Sequence, residues 1–427
     1  MKNTVRRTSK YHAFILKDLN KRKKALIGFS VVMAFIFMGD SIMSYLAPVV
    51  IERHTSSRFL MGLIISSSSV IGLICDLFLP KMFPDKKYDF FTIWTGLIAL
   101  IFPLVFIFLP AHIWAYLLAM AAWGIYYELA RFSQYSFVHT FLHRDEHASA
   151  WGVMEIARSL ALTIGPIIAS LLLMKSEIQA STAALISFIV ALIGFFIVNE
   201  LYNHRKVDPV TKNNHRSLKQ EVKIWVTLMK KIWHLYFYLF SVMMLDTAFW
   251  TVGILLAEQL KQTNFLGNFL IPAYVFPSMF MSLLAGKLAR KHSKKKIAFL
   301  SSLIGASMLL FGLLFIKSSL LILVIFLSSF FITLSFPETY AVFEDYVARL
   351  KDFGHDMVGL ESSAISLAYI VGPILAGLLA TFLSLQNTIA VFAAILVLMS
   401  GVSLFIVPKK IKMPQKTLNG ECNDCKI

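Results

Sequence analysis

Twelve stretches of about twenty mostly apolar residues recur along the chain, at roughly 26–48, 60–80, 90–109, 112–137, 150–173, 180–200, 232–256, 266–288, 297–316, 319–343, 357–381 and 387–407. A helix of that length crosses the hydrocarbon layer, where every backbone N–H and C=O must be bonded within the segment. The pattern predicts an all-α polytopic membrane protein with twelve transmembrane helices. Composition agrees, because 57% of the residues are hydrophobic and only 15% are charged, too few to cover a soluble protein of 427 residues. The basic N-terminus leads into an apolar run too long for a cleaved signal sequence, so a retained first helix is expected. The tenth and eleventh stretches carry enough polar residues to be the weakest of the set.

The net charge of +17 would suggest a nucleic-acid surface in a soluble chain. Here the charge is distributed by connection. Alternate segments (the N-tail, 81–89, 138–149, 201–231, 287–296, 344–356 and the C-tail) hold 34 of the 41 Lys and Arg, the opposite set holds 5, and Arg131 and Arg158 lie inside spans. By the positive-inside rule both termini and the central segment are expected in the cytoplasm, at the plasma membrane or, in a bacterium, its inner membrane. No nucleic-acid partner is expected, since the longest extramembrane piece lacks the apolar pattern of a folded domain. The division is a tail at 1–25, a six-helix bundle at 26–200, a linker at 201–231, a second six-helix bundle at 232–407 and a tail at 408–427. In the linker Val222, Trp225, Val226 and Met229 recur at helical spacing beside Lys219, Lys223 and Lys230, the pattern of a helix on the lipid surface; a plain tether is the alternative.

The two halves repeat each other. GPIIASLLL from Gly165 matches GPILAGLLA from Gly372 at an offset of 207, and MGDS and MLDT place Asp40 and Asp246 at an offset of 206, which Glu52 and Glu258 share. Signatures at matching depths point to two pseudo-symmetric bundles around a cavity that opens to either side by rocking.

With this architecture the chain resembles the major facilitator superfamily over nearly all of its length. That family's signature between its second and third helices, Gly-x-x-x-Asp-Arg/Lys-x-Gly-Arg/Lys-Arg/Lys, meets GLICDLFLPK here: Gly72, Asp76 and Lys81 are kept, while Leu77, Leu79 and Pro80 depart from it. The second copy, GKLARKHSKK, keeps Gly286, Lys291, Lys294 and Lys295 but has Arg290 at the Asp position and Ser293 at the glycine. The resemblance implies a conformational gate at Gly72, Asp76, Gly286 and Arg290, with Asp76 a latch that accepts bonds from the amides of a facing helix end. An exposed carboxylate balancing Lys81, Lys86 and Lys87 is the plainer reading. Gly165 and Pro166 also resemble the start of the family's antiporter signature, although Ala169 and Ser170 stand at its closing glycines.

The deeper charges bear on chemistry. Asp40 lies about 21 Å along its span at 1.5 Å per residue, near the middle of a hydrocarbon layer of roughly 30 Å, and Asp246 is placed likewise in the seventh span. A carboxylate there is costly unless it meets water, a partner or a substrate, and burial favours its protonated form. Glu128 with Arg131 and Glu155 with Arg158 are i, i+3 pairs on one helical face each, forming either a substrate-holding network or a structural lock. Glu338 has comparable depth in the tenth span without a neighbouring arginine. The candidate proton or substrate site is therefore Asp40, Glu128, Arg131, Asp246, Trp250 and Glu338, with Glu155 and Arg158 as a charge network. Trp250, four residues beyond Asp246, and Tyr126, Tyr127 and Tyr135 near Glu128 would suit a cationic, partly apolar solute through cation–π attraction; they also serve as ordinary bundle filling. Gly165-Pro166 and Gly372-Pro373 are candidate helix kinks, or places of close packing.

Function follows as an expectation. No nucleotide-binding loop and no catalytic constellation occur, so an ATP-driven pump and an enzyme are not expected. Cys422 and Cys425 read as a solvated tail rather than half a zinc site, and no cofactor or metal is expected beyond a proton as coupling ion. The leading expectation is a secondary-active transporter, functional as a monomer among membrane lipids and exporting a small amphipathic or cationic solute by proton coupling. Proton-coupled uptake and a nontransporting receptor or scaffold are the alternatives.

Overall fold

A computed structural model describes residues 2–83, 86–142, 147–202, 218–288, 293–316, 320–350 and 353–407. Among them every regular element is helical: α1 (Lys2–Thr55), α2 (Arg58–Met82), α3 (Tyr88–Phe108), α4 (Ile113–Phe141), α5 (His147–Leu173), α6 (Glu177–Tyr202) and α7 (Leu218–Ala248), followed by a π-helical turn (Phe249–Gly253) and α8 (Ile254–Lys261). A 3-10 turn (Phe265–Phe269) precedes α9 (Leu270–Val275), α10 (Pro277–Leu288), α11 (Lys294–Phe315), α12 (Leu320–Leu350), α13 (Gly354–Phe382) and α14 (Leu385–Ile406).

Eleven of the resulting helical segments are long and apolar enough to cross a membrane. The eighth stretch is the exception. There Asn264 caps a 3-10 turn by accepting from the Leu266 amide, and the helix is interrupted again before Pro277, so the apolar run at Phe265–Met281 falls short of a full span. The tenth and eleventh stretches, expected to be weakest, are instead the unbroken helices α12 and α13, and on α12 the polar residues Ser328, Ser329, Thr333, Ser335, Glu338 and Thr339 are buried. Residues 203–217 of the linker and the C-tail with Cys422 and Cys425 lie outside the described residues. From Leu218 the expected surface helix is continuous with the seventh span rather than separate from it.

The distribution of side chains is that of a protein in lipid. Phe405 is 91% exposed and Trp114 81%, with Phe108, Phe311, Phe315 and Leu398 also bare, whereas small hydroxyl residues such as Ser41, Thr95, Ser302 and Ser329 are buried. Such a surface would aggregate in water. Inside, many hydroxyls satisfy themselves on the preceding turn, as Thr92 does on the Tyr88 carbonyl at 2.7 Å and Thr339 on that of Ser335 at 2.7 Å, so small polar residues allow close helix approach.

Two compact units result, Met1–Met43 with Ile71–Pro209 and Ser44–Val70 with Val210–Ile427. In the first, α3 packs on α4 and α6, and α1 meets α6 where Gly39 leaves room for the Phe188 ring. In the second, α11 packs on α12 and α14, and α7 on α13 and α14. The segment Ser44–Val70, which the hydropathy pattern places with the first bundle, is fastened within the second unit. Arg58 donates to the Ala380 carbonyl at 2.7 Å, and Gly62 lies against the Pro373 carbonyl as Gly377 does against that of Arg58. With backbone meeting backbone at this crossing, a side chain at either glycine must part α2 from α13.

Candidate functional site

Asp40 lies on α1 in the first unit and is 5% exposed. Its Oδ1 accepts two bonds from α4, from Trp123 Nε1 at 2.8 Å and from the Tyr126 hydroxyl at 2.6 Å. Trp123 and Tyr126 are three residues apart and share a helical face, so one element presents both donors. Their rings are held in turn, Trp123 stacked on Phe102 at 5.4 Å and Tyr126 edge-on to Phe188 at 5.7 Å. Arg158 on α5 is the cation whose field reaches Asp40.

Asp246 on α7 in the second unit is built the same way from different elements. Its Oδ1 accepts from the Tyr274 hydroxyl of α9 at 2.9 Å and its Oδ2 from the Tyr369 hydroxyl of α13 at 2.5 Å. The π-helical turn begins three residues later. It shifts the register of the residues beyond it, and Phe249, buried, stacks face to face on Tyr274 at 3.9 Å, while Trp250 stays partly exposed. Two tyrosines from distant segments thus donate to Asp246.

The two glycine–proline pairs lie beside these acids. A Cβ on Gly165 would strike Ser41, the residue after Asp40, and one on Gly372 would strike Thr247, the residue after Asp246. Each glycine thus lets α5 or α13 approach the acid-bearing helix at the level of the carboxylate. Pro166 and Pro373 sit inside helices that continue on both sides.

Glu128 and Arg131 pair at 2.8 Å, and the same guanidinium donates to Asp76 of α2. Gly72 has its place in this arrangement, because an added Cβ would come within 3.4 Å of the Glu128 carboxylate. Asp76 is thereby engaged by an arginine of its own unit. Glu155 and Arg158 stand 3.8 Å apart, and Arg158 also donates to the Tyr127 hydroxyl at 3.0 Å. Tyr135 packs its ring against Trp151 at 4.9 Å. Gly286 lies in α10, and Arg290 lies outside the described residues.

Further polar groups that the sequence pattern did not bring together close the second unit at the end of α8: Tyr45 donates to Glu258 at 2.7 Å, and Lys261 bonds the same oxygen at 2.6 Å. Glu338 on α12 is 1% exposed, and neither of its carboxylate oxygens has a hydrogen-bond partner among the described residues. A cleft of about 510 Å³ lined by Tyr135, His139, His147 and Trp151 lies where α4 ends and α5 begins, and none of the buried acids lines it. Among the described residues no three His, Cys, Asp or Glu side chains gather as a metal site.

Comparison with known proteins agrees with this architecture. Residues 235–421 match the family model described as Major Facilitator Superfamily. A search of curated proteins found no match. Among solved structures, a bacterial homologue of the human lysosomal transporter Spinster, inward-facing and unoccupied, is 12% identical, with 89% of this chain and 96% of that one covered and a TM-score of 0.64. A POT family transporter in complex with a thioalcohol-conjugated peptide is 10% identical over 90% of this chain and 96% of that one, with a TM-score of 0.71. Another POT family transporter, in complex with 5-aminolevulinic acid, is 11% identical at the same coverages, with a TM-score of 0.70. At these identities the likeness is one of fold. The chain shares the fold of these transporters, and residues 235–421 carry the match to the Major Facilitator Superfamily model.

Proposed function

We propose that this protein is a secondary-active transporter that works by alternating access and couples proton movement to the export of a small amphipathic or cationic solute. The observation that carries this reading is the pair of aromatic-held carboxylates, Asp40 with Trp123 and Tyr126, and Asp246 with Tyr274 and Tyr369. Each places a carboxylate among aromatic side chains inside an apolar protein, an arrangement suited to a cation that carries its own apolar surface. The contacts of Gly165 with Ser41 and of Gly372 with Thr247 support two pseudo-symmetric six-helix bundles, since residues paired by the sequence repeat make equivalent contacts in their own units. Arg131, shared between Glu128 and Asp76, is assigned to a conformational network. Directly, the reading is tested by screening solutes in proteoliposomes with and without an imposed pH gradient: a gradient should drive accumulation of an organic cation, and gradient-independent behaviour across cationic solutes would reject proton coupling.

The charge asymmetry further supports cytoplasmic placement of both termini and of the linker. A single cysteine at Asn213 in an otherwise Cys-free protein is expected to be protected from an impermeant reagent in intact cells and labelled after permeabilisation, with Ser57→Cys labelled from outside. Labelling of the Asn213 site in intact cells would overturn that orientation.

A further inference from the structure

The buried acids of this protein are not alike in what holds them. Asp40 and Asp246 each accept two hydrogen bonds, and Glu128 is paired with Arg131. Glu338 is as deeply buried as any of them, yet neither of its oxygens meets a donor among the described residues. An ionised carboxylate in that position would bear the cost of desolvation with no hydrogen bond among the described residues to offset it, whereas a proton on one oxygen removes the charge.

The surroundings of α12 bear on the contrast, because several titratable groups on the elements packed around it are bonded elsewhere. From α11, Lys294 bonds Asp345 at 2.9 Å and the Ala341 carbonyl at 3.4 Å, and Lys295 lies over the Tyr346 ring at 5.3 Å. From α9, Tyr274 donates to Asp246 and its carbonyl accepts from Ser329 of α12. From α13, Tyr369 donates to Asp246, and Glu361 has Glu344 as its charged neighbour. On α7, Tyr238 donates to the Ala298 carbonyl at 2.9 Å, and His234 is buried with Lys295 as its charged neighbour. Among the described residues, Lys294 is the cation whose field reaches Glu338. Positions 338 and 345 are two turns apart on one face of α12, and Ala341 lies between them, so the Lys294–Asp345 pair lies between Glu338 and the end of the helix.

We propose that Glu338 is the proton-carrying acid of this transporter, protonated in the conformation described and releasing its proton to water along the α12 face that ends at Lys294 and Asp345. The inference rests on the proton-coupled reading above and names the group that carries the coupling ion. In the release step the carboxyl O–H breaks, the carboxylate keeps the electron pair and water takes the proton; reloading reverses it. Asp40 and Asp246, whose carboxylates are each held by two aromatic hydrogen-bond donors, are left to meet the solute.

The test needs no substrate. An apolar carbodiimide reacts with protonated carboxyl groups in apolar surroundings, and mass spectrometry of the full-length protein in lipid locates the adduct. Labelling is expected at Glu338, fading as the pH is raised, and absent from Asp40 and Asp246. In infrared spectra Glu338→Gln is expected to remove one protonated-carboxyl C=O band that Asp40→Asn and Asp246→Asn retain. An unlabelled Glu338 in folded wild-type protein, or a band that survives in Glu338→Gln, would overturn the assignment. Because neither measurement uses transport, failure of the proton-coupled reading is separable: a labelled Glu338 in a protein whose transport ignores the pH gradient would reject coupling, and gradient-driven transport with Glu338 unlabelled would reject Glu338.

Discussion

Arg131→Gln is expected to destabilise the protein more than Glu128→Gln or Asp76→Asn does, because one guanidinium serves both carboxylates. Removing the arginine leaves two partly buried negative charges facing each other. Removing either acid leaves the arginine paired with the remaining one. Breaking a fully buried ion pair from one side costs about 3–5 kcal/mol, and since the Arg131 side chain is 36% exposed the expected loss is nearer about 2–3 kcal/mol, with roughly half of that for either acid alone. Pairing Arg131→Gln with Glu128→Gln should recover part of the loss, and adding Asp76→Asn more, since the triple variant contains no uncompensated member. Thermal unfolding of the purified variants in one detergent checks the order. Equal shifts for all three single variants would mean that the charges act separately, and the network would then hold no conformational role.

Much of this arrangement was legible in the residues, and the remainder was hidden for physical reasons. Hydropathy located the apolar spans because lipid demands about twenty apolar residues per crossing, but an average over a window does not register a break, and the interruptions around Gly267 and Pro277 in the eighth stretch passed unseen. Asp40 and Asp246 stood out by depth. Their donors did not, because Trp123 is 83 residues from Asp40 and Tyr369 is 123 residues from Asp246, distances only the packed bundle closes. Tyr126 could have been separated from Glu128 earlier, since residues two apart on a helix face different ways, while Trp123 and Tyr126 at i, i+3 share a face. The repeat between Gly165 and Gly372 was visible as an offset; that each glycine meets the residue after a buried aspartate needed the structure. The π-helical turn at Phe249–Gly253 has no compositional signature, so an α-helical count does not register the shift it introduces beyond Asp246. Asp76 was sought at a facing helix end because the family resemblance assigns that role, and the second bond of Arg131 lay outside that expectation.

Asp40→Asn and Asp246→Asn are expected to separate charge from packing at the two aromatic-held acids. At Asp40 both donors address Oδ1, so an asparagine can present its carbonyl oxygen to Trp123 and Tyr126 and keep both bonds. At Asp246 the two oxygens are used separately; an asparagine keeps the Tyr274 bond through its oxygen, and its amide can donate to the Tyr369 hydroxyl oxygen. Each variant should therefore fold, with a stability change of about 1 kcal/mol, the scale of one exchanged hydrogen bond. Arg158 loses a counter-charge only in Asp40→Asn, so that variant should show the larger stability loss of the two. What disappears from both is the negative charge beside the rings. If these carboxylates meet the cationic part of the solute, binding of a lipophilic cation such as tetraphenylphosphonium should weaken about tenfold or more in each variant, the equivalent of about 1.4 kcal/mol, while Tyr126→Phe and Tyr369→Phe, which retain the charge, should cost less. Isothermal titration of matched, folded preparations reads this directly. Wild-type affinity for the cation in both variants would remove Asp40 and Asp246 from the solute site and leave their tyrosine and tryptophan bonds as bridges between helices; weakened binding with Glu338 still open to carbodiimide would place solute and proton on different acids, so that the coupling runs between them.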